Sequence, residues 1–518
     1  MLGISLASCT KDNTQTLQQQ DDNTLAASAR PGTMTVTVPG TRVATDHADG
    51  ATKWSAGDKF ALFDLHGATT TLNSPFTLQS EHGHSSGSFS GLINDLSAVT
   101  GRSLMAVYPH DEGLSYNANA GTKSLTPTLT LPAAQTSAEL ANLVGKLTWM
   151  AAKVSTDGAL DNGVQLTFKQ LTSVIAFTIE GVPAGEKVGS LTMSAGAATP
   201  FVLGMNVDFA GPDPVAVAAP AAETTATLSA TPATPFATGG TLSLVLFPCT
   251  LAGVEVTYTV ITVDATTGNY ANTYLMTQTM TKNLTAGTLY KKTVALGSPA
   301  LVDVRGDQTI IYPTVEITYG DATTAIWTTL GLRTTRFPNG TEIKVDDPTT
   351  WWHVAGRPPY WGVETLKPID SYPSGLTYPV SFDQYMGYLY YNNSYTKFIP
   401  SGWHLPTKAE WQKLVDAAAA SPGGLAVLCA DNVWNAPFTD VSQLNAWGMN
   451  IFAWGYSSSG NSKLFYNTDD WHTELHGNTA SFWYAGAAGW CSLLFNGTTT
   501  VYTSDTWCEG ATIRLVKD

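Results

Sequence analysis

The chain has 518 residues, room for about three domains of ordinary size, and a formal net charge of −15. Only 13% of its residues are charged, and the excess is acidic, which argues against a nucleic-acid partner. No run of roughly 18 apolar residues occurs, so no stretch qualifies as a membrane-spanning helix. Gly, Thr, Ser and Ala abound while long helical patterns are scarce, a balance that favours an all-β, extracellular type of protein.

The chain opens with Leu6-Ala7-Ser8-Cys9 close to its start. This resembles a bacterial lipobox, in which signal peptidase cuts before a Cys that becomes the lipidated N-terminus. The resemblance implies lipidation at Cys9 and a lipid anchor in the outer membrane, held by several acyl chains because one alone binds marginally. The charged region and half of the apolar region of a signal peptide are missing, which puts the true start upstream or marks a trimmed chain. Lys11-Asp12 weakly resembles a surface-export signal of lipoproteins in gut anaerobes. Residues 10–32 are polar and aperiodic, with a Gln18-Gln19-Gln20-Asp21-Asp22 run, and read as a disordered tether or removable leader.

From Met34 the pattern switches to period two, with Met34, Val36 and Val38 alternating with Thr. Trp54 to Phe63 and Leu104 to Pro109 follow as apolar runs bounded by Gly, Asn and Asp clusters, the marks of a β-sandwich over residues 33–145. A second sandwich is expected over 146–297, from Lys146 to Ala151, Val164 to Phe168 and Ile175 to Ile179, with 211–240 as a long Ala/Thr/Pro-rich loop. The Thr41-Arg42 pair, the Trp54-x-x-Gly57-Asp58 turn, the Ala106-Val107-Tyr108-Pro109 strand and the closing Ala286-Gly287-x-x-Tyr290 together resemble fimbrillins, the pilins of type V pili. That resemblance spans about residues 34–296. It implies two transthyretin-like sandwiches, partners among stalk pilin subunits joined by strand addition, and a maturation cut after an arginine. Arg30 and Arg42 are the candidates; Pro31 disfavours cleavage at Arg30, and Arg42 reads as a strand residue.

Gly297 to Ala300 is a linker, and beyond it the chemistry changes: 13 of the 15 Trp residues lie there, so residues 302–518 form a distinct domain. Trp351-Trp352, Tyr360-Trp361 and the tyrosines of 385–391 form dense aromatic clusters. Such side chains fill cores when buried and pack against sugars or proteins when exposed. Trp351, Trp352, Tyr360 and Trp361 are the candidate ligand-binding aromatics, for a host glycan or protein.

Thr407-Lys408-Ala409-Glu410 fits a capping box, and Trp411, Leu414, Val415 and Ala418 follow at helical spacing until Ser421-Pro422-Gly423-Gly424 stops the helix. Trp403 is expected to plug the core beneath this helix, and His404 to bond a backbone carbonyl. Gly402-Trp403-His404-Leu405-Pro406-Thr407 with Glu410-Trp411 resembles the central motif of the Fibrobacter succinogenes major paralogous domain, a relative of C-type-lectin-like and formylglycine-generating folds. Ile326-Trp327, Leu332 to Phe337, Asn339 to Ile343 and Ile513 to Asp518 match its pattern in order. The family's paired cysteines are replaced here by Ile399 and Leu515, which implies apolar packing in place of a disulfide. The resemblance implies an α+β, C-type-lectin-like head, in which the C-terminal stretch is consumed as a strand. A mainly β architecture of two sandwiches and that head results, and it suits a pilus tip that accepts a strand without donating one.

Catalytic readings are weaker. No Gly-x-Ser-x-Gly elbow, phosphate loop or dinucleotide fingerprint occurs, and no cofactor is expected. His472-Thr-Glu474-Leu-His476 lacks the zinc-enzyme order and a third ligand, and Asp469-Asp470 lacks the sugar-binding motifs of calcium-dependent lectins, so no metal is expected. Cys491 and Cys508 flank a hairpin-like segment and form a plausible disulfide in an exported protein. The function expected is adhesion, without enzymatic activity. A glycan-capturing surface lipoprotein outside any pilus is the alternative, and a formylglycine-generating-type enzyme a more distant one.

Overall fold

The computed structural model describes residues 30–37, 54–65, 73–80, 84–93, 96, 98–117, 124–126, 129–136, 147–160, 163–196, 198–211, 214–218, 224–341, 361–362, 389–391, 398–429, 441–451, 457–458, 480–485, 492–495, 502–504 and 508–518. As expected, the protein is mainly β; among the described residues one α-helix, α1 (Lys408–Ala420), interrupts the strands. Contacts cluster into two compact units. One comprises Met1–Ile179, Gly189–Thr257 and Thr277–Val294, the other Glu180–Val188, Tyr258–Met276 and Ala295–Asp518.

The first unit begins with strand β1 (Arg30–Thr37), where Met34 and Val36 alternate with threonine. It belongs to an eight-stranded sheet with the order 164–167, β1, 86–93, 74–80, 59–65, 102–108, 150–156, 169–170. The two ends of that order, Val164–Thr167 and Lys169–Gln170, are separated in the chain by Phe168 alone. One stretch of backbone therefore pairs with β1 through its first half and with Met150–Thr156 through its second, and the sheet closes on itself. β1 runs antiparallel to Ser86–Ile93 along its whole length and parallel to Val164–Thr167 from Met34 onward.

Aromatic rings fill the interior of this closed sheet. Trp54 stands edge-on to Phe89, Tyr108 and Phe168, with centroids 4.9, 5.2 and 6.0 Å away, a geometry that suits the ring quadrupoles. The Trp-x-x-Gly-Asp turn holds Trp54 there. Gly57 takes φ +87°, the Ser55 N–H donates to Asp58 Oδ2 at 2.6 Å, and the Tyr108 hydroxyl donates to Asp58 Oδ1 at 3.0 Å. Burial pushes the Asp58 carboxyl above its ordinary range, against the pull of the Ser55 and Tyr108 hydrogen bonds.

The sheet is packed on its outer side too. Ala61, Phe63, Met105, Val107 and Ala151 point away from the aromatic interior and form a second core with Leu129, Trp149, Val174, Val207, Val245 and Phe247. Strands buried on both faces lose the alternation of a half-exposed strand, which is why Leu104 to Tyr108 reads as a continuous apolar run. The domain boundary expected at 145/146 is corrected here. Residues 150–170 complete the first sheet, and Met150, Ala152, Leu166 and Phe168 lie in its interior.

Close packing makes Gly91 intolerant of a side chain. A Cβ there would lie 2.6 Å from both Phe76 Cδ2 and the Pro75 carbonyl oxygen. Gly91→Ala is expected to cost about 1–3 kcal/mol of stability, the usual penalty of overpacking. An unchanged urea midpoint would show that the 74–80 and 86–93 strands separate freely.

Beyond the closed sheet lie a three-stranded sheet (Thr241–Leu246, Ser173–Glu180, Leu289–Ala295) and a five-stranded one (Tyr270–Thr279, Glu255–Asp264, Glu186–Ser194, Thr227–Thr231, Ala134–Thr136). The long loop expected over 211–240 is corrected as well: Val215–Ala218 and Thr227–Thr231 are strands, the latter burying Leu228 and Ala230 inside the five-stranded sheet. Threonine is β-branched and favours strands, so Ala/Thr composition alone was a poor loop signal. The Ala-Gly-x-x-Tyr segment is a pinned turn, in which the Tyr290 hydroxyl donates to the Asn283 carbonyl and accepts the Thr285 N–H.

In the second unit, the hairpin of Leu301–Arg305 and Gln308–Tyr312 leads into a four-stranded sheet ordered Thr314–Thr318, Thr324–Thr328, Val516–Lys517, Trp403–His404. α1 buries Trp411, Leu414, Val415 and Ala418 against it, as their spacing predicts. The tryptophan beneath the helix is Trp411 itself. Trp403 is half-buried and packs in a neighbouring cluster, because its strand places it on the other side. Ile399 and Leu515 share that cluster and pack among its apolar side chains.

Candidate functional site

The Gly402–Trp411 motif is a junction of three elements. Gly402 takes φ +79°, a backbone conformation that disfavours any side chain, and turns the chain into the Trp403–His404 strand. That strand pairs antiparallel with Val516–Lys517, Trp403 opposite Lys517 and His404 opposite Val516. Three residues further, Thr407 caps α1: its hydroxyl accepts the Glu410 N–H at 3.2 Å, and Glu410 Oε2 accepts the Thr407 N–H at 2.7 Å. The capping box stands as the spacing predicts.

His404 differs from expectation. Its ring nitrogens face two carboxylates rather than a backbone carbonyl: Nδ1 lies 2.7 Å from Asp518 Oδ1, and Nε2 lies 3.0 Å from Glu410 Oε1. The Asp518 N–H donates to the Gly402 carbonyl at 3.0 Å, which holds the partner in place. Burial opposes the charge on His404, but its hydrogen bonds to Glu410 and Asp518 outweigh it and raise the pKa above its ordinary 6.5. Burial likewise opposes the charge on Glu410, yet the Thr407 and His404 hydrogen bonds leave its pKa lowered.

A second set of contacts fixes residues 332–337, just before the aromatic cluster of the sequence. Arg305, buried, donates through Nε to both oxygens of Asp303 (2.8 and 2.9 Å), through Nη1 to the Arg336 carbonyl at 2.7 Å, and through Nη2 to the Phe398 carbonyl. Gln308 Oε1 accepts the Thr334 hydroxyl and the Thr335 N–H, at 3.0 and 3.1 Å. Tyr312 accepts the Arg333 N–H at 3.0 Å. The backbone here is tied from below by three side chains of one hairpin.

Sequence reasoning missed this anchor. In Leu301-Val-Asp-Val-Arg305 a period-two reading faces the valines inward. Instead Leu301, Asp303 and Arg305 are buried, and Val304 is 60% exposed. The available signal was an opposite-charge pair two residues apart, hence on one face of a strand.

The remaining expected site residues are placed as follows. Arg30 is the first residue of β1, opposite Ile93; Arg42 lies outside the described residues. Cys9, Trp351, Trp352, Tyr360 and Cys491 also lie outside them, as do His472, Glu474, His476, Asp469 and Asp470. Trp361 begins a short strand opposite Tyr390, and that Leu389–Tyr391 strand pairs in turn with Cys508–Ala511. The backbone thus brings Trp361, Tyr390 and Cys508 into one sheet. Cys249 and Cys429 are buried free thiols; burial pushes Cys249 up to about 11 and Cys429 well above its ordinary value, so neither is a thiolate at neutral pH.

No family model matches the chain, and no curated protein matches it. Among solved structures, a candidate cell adhesion protein from Bacteroides uniformis is 16% identical over 51% of this chain and 93% of its own, with a TM-score of 0.33. A fimbrial protein from Bacteroides ovatus is 12% identical over 94% of this chain and 99% of its own, with a TM-score of 0.27. A candidate adhesin from Bacteroides ovatus is 8% identical over 55% of this chain and 96% of its own, with a TM-score of 0.25. These scores are too low to place the chain in a family.

Proposed function

We propose that this protein is a cell-surface adhesion subunit of a type V pilus, seated at the tip, with residues 302–518 as its C-type-lectin-like recognition head. The observation that carries the reading is the position of Val516–Lys517. This strand is paired on both edges inside a four-stranded sheet, and the segment before it buries Ile513, Arg514 and Leu515. Such a strand cannot be lent to a neighbour without unfolding the sheet around it.

In this role β1 marks the place where a strand is accepted. β1 is the strand that joins Ser86–Ile93 to Val164–Thr167, so a cut after Arg42 would sever it from the closed sheet and its loss would expose two unpaired edges. A neighbour's strand would fill that gap by β-augmentation. Arg30 is the poorer cleavage site, since its backbone is paired in β1 and Pro31 follows it. Before assembly the protein is held in the outer membrane by a lipid on Cys9. The ligand, a glycan or a host protein, is met by Trp351, Trp352, Tyr360 and Trp361. No side chain acts as a catalyst in this role.

Immunogold microscopy of intact cells, with antibody against residues 302–518, tests this. Label confined to fibre ends is expected. Label along the shaft would overturn the terminal position, and label over the envelope without fibres would leave a surface-binding lipoprotein.

A further inference from the structure

The ring of His404 lies between two carboxylates, and that placement has a chemical requirement. A neutral imidazole carries one N–H and one lone pair, so it can donate to only one of the two oxygens. The other nitrogen would then hold its lone pair against a carboxylate oxygen 2.7 or 3.0 Å away. Both contacts are favourable only when both nitrogens are protonated. We infer that His404 is a proton-operated clamp, which in its imidazolium form ties the N-terminus of α1, through Glu410, to Asp518 behind the Val516–Lys517 strand.

The two arms are unequal. Glu410 is 26% exposed and already fixed by the Thr407 N–H and hydroxyl on its other oxygen, whereas the Asp518 side chain is 57% exposed. On deprotonation the remaining N–H therefore stays with Glu410, and Asp518 is the arm released. The charged groups around the ring are few among the described residues. α1 contributes Glu410; its Lys408 stands two residues earlier in the helix, and its Lys413 is engaged 2.7 Å from Asp321. The Val516–Lys517 strand and the residue after it contribute Asp518, while Lys517 is paired opposite Trp403, on the other face of the strand from His404. The Thr314–Thr318 strand is followed by Tyr319, whose hydroxyl accepts the Trp327 indole N–H and whose pKa is raised first by burial and also by Glu410.

The direction of the pH response follows. The folded-state pKa of His404 is raised above 6.5, so the clamp is complete below 6.5 and is lost as pH rises through the folded value. Glu410 is lowered from 4.5, so its part is complete above 4.5 and is lost as pH falls through its folded value. The clamp is fully closed between the two ordinary values. Mildly acidic surroundings hold the Asp518 side chain, and alkaline surroundings free it, its backbone N–H staying on the Gly402 carbonyl.

Ring 15N shifts of the full chain, labelled at its nine histidines, give the test. His404 is assigned by the signal missing in His404→Gln. The titration midpoint is expected above 6.5, with both ring nitrogens protonated below it. Asp518→Asn and Glu410→Gln should each lower the midpoint by about half a unit or more, roughly a threefold loss of proton affinity. Glutamine still completes a capping box, and Asp518 is exposed, so neither variant disturbs the helix start. A midpoint at or below 6.5, or one unmoved in both variants, would overturn the clamp; a merely structural histidine would show that behaviour.

Discussion

Trp411→Ala should remove about 3–5 kcal/mol from the stability of the second unit, as truncation of a buried aromatic does. Trp411 is 1% exposed on the inner face of α1, with its ring 4.9 Å from Trp327 and 4.8 Å from Phe482, the latter stacked. Both neighbours are large and held elsewhere, Phe482 by its strand and Trp327 by an indole N–H that donates to Tyr319 at 2.8 Å. They cannot collapse into the space, so the cavity stays open. The Trp411 indole nitrogen is itself buried without a hydrogen-bond partner among the described residues. Trp411→Phe deletes that donor and keeps most of the stack, and should cost less than half as much. Urea midpoints followed by far-UV circular dichroism measure both. A loss below about 1 kcal/mol for the alanine variant would mean that Leu414, Val415 and Ala418 hold the helix without it.

The same helix shows which features were legible in the sequence. Thr407 and Glu410 are three residues apart, the four buried positions repeat at helical spacing and the stop follows at once, so every determinant of α1 lies between Thr407 and Gly424. The closed sheet was not legible in that way. Val164, Leu166 and Phe168 announce a strand by alternation, but nothing local says that its two halves pair with β1 and with Met150–Thr156. That outcome depends on which edges remain open once the other strands have paired. His404 failed for the same reason: Glu410 is six residues away and could have been suspected, whereas Asp518 is 114 residues away. Arg305 was hidden by an inverted pattern, in which a charged pair took the inward face that the valines appeared to claim. The aromatic surplus after residue 300 was plain from composition, yet composition does not say which rings face a ligand.

Asp303→Ala is expected to be about as damaging as the loss of Trp411, for an electrostatic reason. Asp303 and Arg305 are 4% and 1% exposed, and the Arg305 Nε–H is shared between both carboxylate oxygens. Removing the carboxylate leaves a guanidinium buried without its counter-charge, which costs about 3–5 kcal/mol in measured cases. The double variant Asp303→Leu/Arg305→Leu removes the stranded charge but also strips the Arg336 and Phe398 carbonyls of their donor. Each unsatisfied carbonyl costs about 1–3 kcal/mol, so the double variant should recover only part of the loss. Asp303→Asn keeps an acceptor near Nε and should lie between the wild type and Asp303→Ala. Because Arg305 holds residue 336, hydrogen exchange across 332–337 should quicken in Asp303→Ala before the unit unfolds. If stability falls by less than about 1 kcal/mol and exchange there is unchanged, the guanidinium reaches water on its own. Residues 332–337 would then be held by their other contacts, among them Gln308, Tyr312 and the Leu332 N–H bond to the Ile513 carbonyl.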